Sequence, residues 1–231
     1  MVVEAGYRLS VTRQLVEAAR LLSGDFAFKA AYATQHQATI VSALENHQAR
    51  IDADVMVLVS PDNLVVVDTL HPRTRDARFA FPELVERAEE SGEASASIVF
   101  IDRRPYRMVV VPLLAPVPVA WIGMGFIIDD RLAEDMRRIT RVHVSLLGPG
   151  EGQGWTMLAS TLPPALRPAI VRELGRHFDA DQSGLSLRLD GREYVSYVTA
   201  VGEERGRRVV AVLQKPVEEA LAALYGLRTR L

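Results

Sequence analysis

One pattern constrains this chain more than any other: a stretch of about ninety residues occurs twice. Val55–Pro72 reads V-M-V-L-V-S-P-D-N-L-V-V-V-D-T-L-H-P. Two runs rich in Val flank Ser60-Pro61-Asp62-Asn63. Val and Leu crowd a pleated surface, and Pro with Asn or Asp sets up a turn, so this segment predicts a β-hairpin. Val142–Pro164 repeats the form, and its exit Ala159-Ser160-Thr161-Leu162-Pro163-Pro164 echoes Val67-Asp68-Thr69-Leu70-His71-Pro72. A second echo follows each copy: Tyr stands four after Asp in Asp102–Tyr106 and again in Asp190–Tyr194. The offsets are 161 − 69 = 92 and 194 − 106 = 88, in the same order along the chain.

Each copy predicts the same series of elements. After the first hairpin comes a loop, His71–Ala80, with Arg73, Arg75 and Arg78. Pro82 opens a helix with Leu84, Val85 and Ala88 inward, and Gly92 ends it. Ser95–Asp102 and Tyr106–Leu114 pair across an Asp-Arg-Arg-Pro turn, Trp121–Ile128 adds a third strand, and Asp129 or Asp130 caps a helix carrying Leu132, Met136 and Ile139. In the second copy a helix near Pro163-Pro164 carries Leu166, Ile170, Val171 and Leu174. Strands follow at Leu185–Leu189, Tyr194–Val201 and Arg208–Leu213, and Pro216 starts a last helix. Five strands with a helix inserted after the second is the plan of a PAS-like module. The fold class is therefore α+β, with two such modules in tandem, each built on an antiparallel sheet.

A helical segment precedes them. Tyr7, Val11, Leu15, Ala18 and Leu22 share one helical face, and Gly24-Asp25 can bend or interrupt it. Thr34 and Gln37 fit a capping box, and the next helix carries Ile40, Ala43, Leu44, His47 and Ile51 to about Arg50. The expected organisation is a helical segment over 1–54, a first module over 55–140, and a second module with a C-terminal helix over 141–231, the two stacked along one continuous N-terminal helix.

Composition narrows the function. Net charge is 27 − 29 = −2 with no block of one sign, so no electrostatic footprint for nucleic acid is present. The absence of cysteine excludes disulfides, thiolate chemistry and cysteine-ligated zinc. No apolar run approaches the roughly 18–20 residues that span a bilayer. The start, Met1–Gly6, does not read as a signal peptide. The expectation is a soluble protein or a piece cut from between membrane segments.

No catalytic constellation stands out, and no metal or cofactor is expected. The five histidines are scattered, and His47 reads as a packed, hydrogen-bonded side chain rather than a ligand. Asp179–Gly184 imitates a calcium loop, with Asp190 at its twelfth position. Leu187 at the ninth position and the turn pair Asp190-Gly191 oppose it, so the segment reads as a solvated loop. A carboxylate enzyme built on Asp68 or Asp102 lacks a second carboxylate at a fixed spacing.

The better site candidates enter the first module. Asp68 and His71 end its hairpin, followed by Arg73, Arg75 and Arg78. Tyr106 and Met108 share a strand face, as do Trp121, Gly123 and Gly125, whose glycines leave space. Ligand-binding residues are therefore expected at Asp68, His71, Arg73, Tyr106, Met108, Trp121 and Gly123. The pocket is apolar with a few placed polar groups, and arginine suits a carboxylate or phosphate, hence an anionic small molecule. The alternative for the same residues is core packing plus a surface loop.

The architecture resembles the double Cache family of extracytoplasmic sensor domains over nearly the whole chain. Gly24-Asp25-Phe26-Ala27-Phe28-Lys29, Thr39–His47 and Arg50–Asp54 resemble the subgroup found upstream of cyclic-di-GMP synthesising and degrading domains. The Tyr/Arg/Trp/Asp pocket signature of amino-acid-binding Cache receptors has no convincing counterpart here. The resemblance implies a membrane-distal first module and a membrane-proximal second one. It also implies transmembrane helices, absent here, beyond both chain ends, and a periplasmic or other extracytoplasmic location. The leading expectation is a non-catalytic, ligand-sensing ectodomain of a bacterial receptor with a cyclic-di-GMP output. It would pair as a homodimer along the Tyr7–Leu22 face. A ligand-free dimerisation spacer is the alternative.

Overall fold

The structure is a computed structural model that describes residues 26–150, 154–177, 183–204 and 207–221. The Tyr7–Leu22 helix and the Asp179–Gln182 part of the calcium-like loop lie outside the described residues. The chain divides into two compact units between Ile127 and Ile128.

In the first unit, α1 (Phe26–Ala33) and α2 (Gln37–Ile51) lead into β1 (Val55–Val59) and β2 (Val65–Asp68). Then come α3 (Pro82–Ser91), β3 (Ser95–Ile101), β4 (Arg104–Leu114) and β5 (Pro118–Ile127). The strands form one antiparallel sheet in the order β2-β1-β5-β4-β3. Both faces are covered. Phe28, Ile40 and Leu44 pack on the Met56, Leu58, Val109, Ile122 and Met124 face. Leu84, Val85 and Ala88 of α3 pack on the Val55, Val57, Met108, Val110 and Trp121 face. This explains why β1 is buried at all five positions instead of alternating, since a strand sandwiched between helices has no solvent face. Fully burying a Leu such as Leu84 contributes about 1.5–3 kcal/mol.

The helical lead-in differs in one detail from expectation. The Thr34–Gln37 capping box does not form: Thr34 Oγ1 donates to the Ala31 carbonyl at 2.7 Å and accepts from His36 N at 3.1 Å. Thr34 thus closes α1, and Gln35 takes a left-handed φ of 54° before α2 starts. His47 is buried and packs its ring edge-on against Phe28 at 5.5 Å.

The second unit contains α4 (Asp130–Thr140), β6 (His143–Pro149), β7 (Trp155–Ser160), a 3-10 turn (Pro164–Leu166), α5 (Arg167–His177), β8 (Ser183–Leu189), β9 (Arg192–Glu204) and β10 (Arg207–Pro216). Its sheet order, β7-β6-β10-β9-β8, repeats the first. Ile170 and Leu174 of α5 pack on Leu147, Tyr194, Val198, Val210 and Val212. The duplicated motif makes a duplicated contact. Thr69 Oγ1 accepts from Met56 N at 2.9 Å and Thr161 Oγ1 accepts from Val144 N at 2.9 Å. Each threonine's own N–H returns to the same partner's carbonyl.

The phase of the repeat differs from the expected one. Helix α4, expected to close the first module at residue 140, packs on β6 and β7 of the second sheet. Asp129 caps it by accepting from Arg131 N and Leu132 N. Asp130 ties it down, accepting from Ser160 N at 2.8 Å and from Arg167 Nη1 at 2.9 Å. Its inward residues are Ala133 and Met136, whereas Ile139, expected inside, is 72% exposed. Among the described residues each unit thus runs from a lead-in of one or two helices through a hairpin and a further helix to three strands. Spacing alone cannot tell on which of two flanking sheets a connecting helix lies.

Candidate functional site

The site grows out of the end of β2. Asp68 Oδ1 accepts from the backbone N–H of Leu70 at 2.8 Å and of His71 at 3.0 Å. These bonds turn the chain away from the sheet, as an Asp side chain does when it mimics a backbone turn. The loop then doubles back along the outer edge of β2. Asp76 N donates to the Val65 carbonyl, Val65 N to the Ala77 carbonyl, and Phe79 N to the Asn63 carbonyl. The returning strand of loop delivers Arg78, Phe79 and Phe81 over the sheet, with Phe79 and Phe81 stacked edge to face at 5.7 Å.

Opposite this wall lies the β3–β4 turn. Asp102 and Arg103 take left-handed φ values of 49° and 64°, a two-residue hairpin turn matched to the strand twist. The second module repeats it at Asp190 and Gly191, with φ of 48° and 77°. The first turn meets a histidine: His71 Nε2 lies 2.8 Å from Asp102 Oδ2, and His71 Nδ1 lies 3.3 Å from Asp68 Oδ2. A ring with an acceptor on each nitrogen suits the doubly protonated imidazolium. The bond to Asp102 first, and Asp68 after it, push His71 above its ordinary value of 6.5, against a lowering effect of burial.

Between the two walls is a cavity of about 310 Å³. Its floor and sides include Val57, Val65, Phe79, Phe81, Ile101 and Met108, and its polar groups are Asp68, His71, Thr74, Arg78 and Asp102. That volume sits at the small end of ligand pockets, about 300–1,000 Å³, and the mix of apolar walls with few polar groups is their usual make-up.

Of the residues expected from sequence, Asp68, His71 and Met108 line this cavity. Tyr106 and Trp121 are buried in the core cluster that includes Met108. Gly123 lies beneath the floor: a Cβ there would meet Met108 Sδ at 3.4 Å. Arg73 is exposed and is not among the lining residues; Arg78 is the arginine that lines the cavity. Arg75 lines a small crevice of about 30 Å³ beside α2. The sequence reading missed Phe79, Phe81, Phe100 and Asp102 as lining groups. The triplet Phe79-Ala80-Phe81 just before Pro82 was a visible cue, an aromatic pair closing a charged loop.

The second module carries a large side chain at the position equivalent to Gly125. By register, Gly125 pairs with Val55 and Met108, and Gln214 pairs with His143 and Ser196. Gln214 therefore stands where Gly125 stands, and its fully buried side chain lies beside Ser145, Oγ to Oε1 3.5 Å. Pro163 takes the place of His71. Among the described residues no group of His, Asp and Glu is arranged to hold a metal ion.

Two tandem PAS-like modules, the first with a small amphipathic cavity, make up the described residues. A family model described as a double sensory domain of two-component sensor kinases matches residues 10–221, and the chain belongs to this double Cache family. No curated protein sequence matches the chain. Among solved structures it is similar to the ligand-binding domain of the Pseudomonas fluorescens chemoreceptor CtaA in complex with L-isoleucine. That match has 11% identity and a TM-score of 0.61, covering 96% of this chain and 91% of that one. It is similar to the ligand-binding domain of the Campylobacter jejuni chemoreceptor Tlp3 in complex with 4-methylisoleucine, at 13% identity and TM-score 0.55, covering 92% and 86%. The Vibrio cholerae LuxQ periplasmic domain matches at 14% identity and TM-score 0.56, covering 92% and 96%. At such identities the likeness establishes the shared fold. No helix among the described residues is long and apolar enough to cross a membrane.

Proposed function

We propose that this chain is the extracytoplasmic, small-molecule-sensing part of a bacterial transmembrane receptor, with its ligand in the first module. The observation that carries the reading is the cavity between the Leu70–Phe81 loop and the β3–β4 turn, with its apolar walls and few polar groups. In this reading Asp68, His71 and Met108 border the ligand, and Tyr106, Trp121 and Gly123 shape the floor beneath it. Arg73 on the loop attracts an anion. The first module is membrane-distal and the second membrane-proximal, with the membrane reached through helices flanking this chain.

Two further parts of the proposal rest on sequence. The output is a cyclic-di-GMP synthesising or degrading domain, supported by the resemblance of Gly24–Lys29 and Thr39–Asp54 to that subgroup. A homodimer forms through the apolar stripe Tyr7–Leu22, supported by its helical spacing. Light scattering of the chain and of Leu15→Glu tests the dimer. Cyclic-di-GMP levels in cells carrying the receptor, with and without Gly123→Leu, test the output.

Native mass spectrometry of the purified chain tests the ligand. A co-purified small molecule that is depleted in folded Gly123→Leu supports the reading. A ligand-free chain that binds nothing from a metabolite panel, yet still dimerises, favours a spacer instead.

A further inference from the structure

The polar groups of the cavity are unequally committed, and this bears on the chemistry of whatever enters. The Asp68 carboxylate is spent: one oxygen accepts two backbone N–H groups and the other faces His71 Nδ1. Arg78 lines the cavity and has no ion pair or side-chain hydrogen bond among the described residues. His71 Nε2 has one partner, Asp102, whose side chain is 67% exposed on a two-residue turn. With Asp102 set aside as His71's exposed partner, the charged donors of the cavity wall are a guanidinium fork and an imidazole N–H. Below them lie Phe79, Phe81, Ile101 and Met108.

Resting on the proposed sensing role, we infer that the first-module site takes a carboxylate with a small apolar body, and that Asp102 is an internal competitor occupying the place of that carboxylate on His71. An entering carboxylate pairs with the Arg78 fork, the geometry arginine offers best. It takes the His71 N–H from Asp102, and its apolar body covers the phenylalanines. The exchange has a structural consequence. While His71 holds Asp102, the Leu70–Phe81 loop is fastened to the β3–β4 turn across 31 residues of sequence. A ligand that replaces Asp102 unfastens them, so binding favours the state in which the two walls are independent. The second module has the same turn aspartate, Asp190, but Pro163 in place of His71, so it carries no such fastening.

The test is a calorimetric titration of the 231-residue chain with sodium hexanoate, and with hexylamine as the opposite-charge control. Asp102→Asn keeps the left-handed turn, which Asn tolerates, and removes the competing charge. If Asp102 holds His71 in about nine molecules of ten, hexanoate binds Asp102→Asn about tenfold more tightly than wild type. Hexanoate binding is lost in His71→Gln and weakened in Arg78→Gln, while hexylamine does not bind. Nitrogen NMR of the His71 ring gives a readout that mere repacking would not move: its Nε2 resonance shifts on adding hexanoate. Binding of hexylamine in preference to hexanoate overturns the inference. So does unchanged or weaker hexanoate affinity in Asp102→Asn, or no saturable carboxylate binding at all. The last result leaves the sensing role to stand or fall on the co-purified molecule.

Discussion

His71 Nε2 sits 2.8 Å from Asp102 Oδ2, joining the exit of the first hairpin to a turn 31 positions further on. Around that pair the loop carrying Arg78, Phe79 and Phe81 closes over Met108.

The pair gives stability a definite pH dependence. His71 is raised in the folded chain by Asp102 and then Asp68. The stabilisation is fully present below the unfolded value of 6.5 and is lost as pH rises through the higher folded value. Melting temperature should therefore fall over that window, and His71→Gln should remove that part of the slope. The His71 side chain is 40% exposed, so the effect is that of a screened surface pair, about 1 kcal/mol at most. Differential scanning calorimetry from pH 5.5 to 8.5 checks it.

The two strand glycines should respond unequally to substitution. A Cβ at Gly125 would clash with Val55 Cγ1, whereas at Gly123 its nearest neighbour is Met108 Sδ at 3.4 Å. Gly125→Ala forces the backbone or Val55 to shift and should cost about 1–3 kcal/mol. Gly123→Ala should cost less than about 1 kcal/mol, since methionine yields readily. Urea unfolding of both variants, compared with wild type, gives the order.

The duplicated threonines should be duplicated in energy. Thr69→Val and Thr161→Val each remove the acceptor for one strand N–H, at Met56 and Val144. Each should cost about 1 kcal/mol, and the two costs should add, since the sites share no partner. A double variant whose loss differs clearly from that sum would show that the two contacts are not independent copies.

Truncating the core under α3 should do more. Leu84 has no exposed surface and packs with Val85, Ala88, Met108 and Val110. Leu84→Ala should cost about 2–5 kcal/mol, depending on how far Met108 relaxes into the space. Circular dichroism on denaturant titration measures it.

Much of the fold was legible because it is local or repeated. Pro82 and Gly92 bracket a helix by fixed backbone chemistry, and Asp129 caps the next by satisfying two N–H groups. Thr69 and Thr161 betrayed the duplication because each fixes the same strand contact. The site was legible only in part. Asp68, His71 and Met108 could be picked out, but Arg78 rather than Arg73 lines the cavity because the loop retraces β2 through bonds to Val65 and Asn63. Such pairing leaves no periodic trace in the loop. The phase of the repeat was hidden for a related reason. Asp130 chooses the second sheet through Ser160 and Arg167, some thirty residues away and beyond any helical spacing.

The central claim, that a small molecule binds in the first module, is tested most directly by methyl NMR of the methionines. Met108 lines the cavity, Met56 and Met124 lie on the opposite face of the same sheet, and Met157 belongs to the second unit. In a titration with pooled small carboxylates, amines and sugars, the Met108 methyl signal should move first and furthest, with Met157 unmoved. Saturable shifts centred on Met157, with Met108 unchanged, would contradict the account.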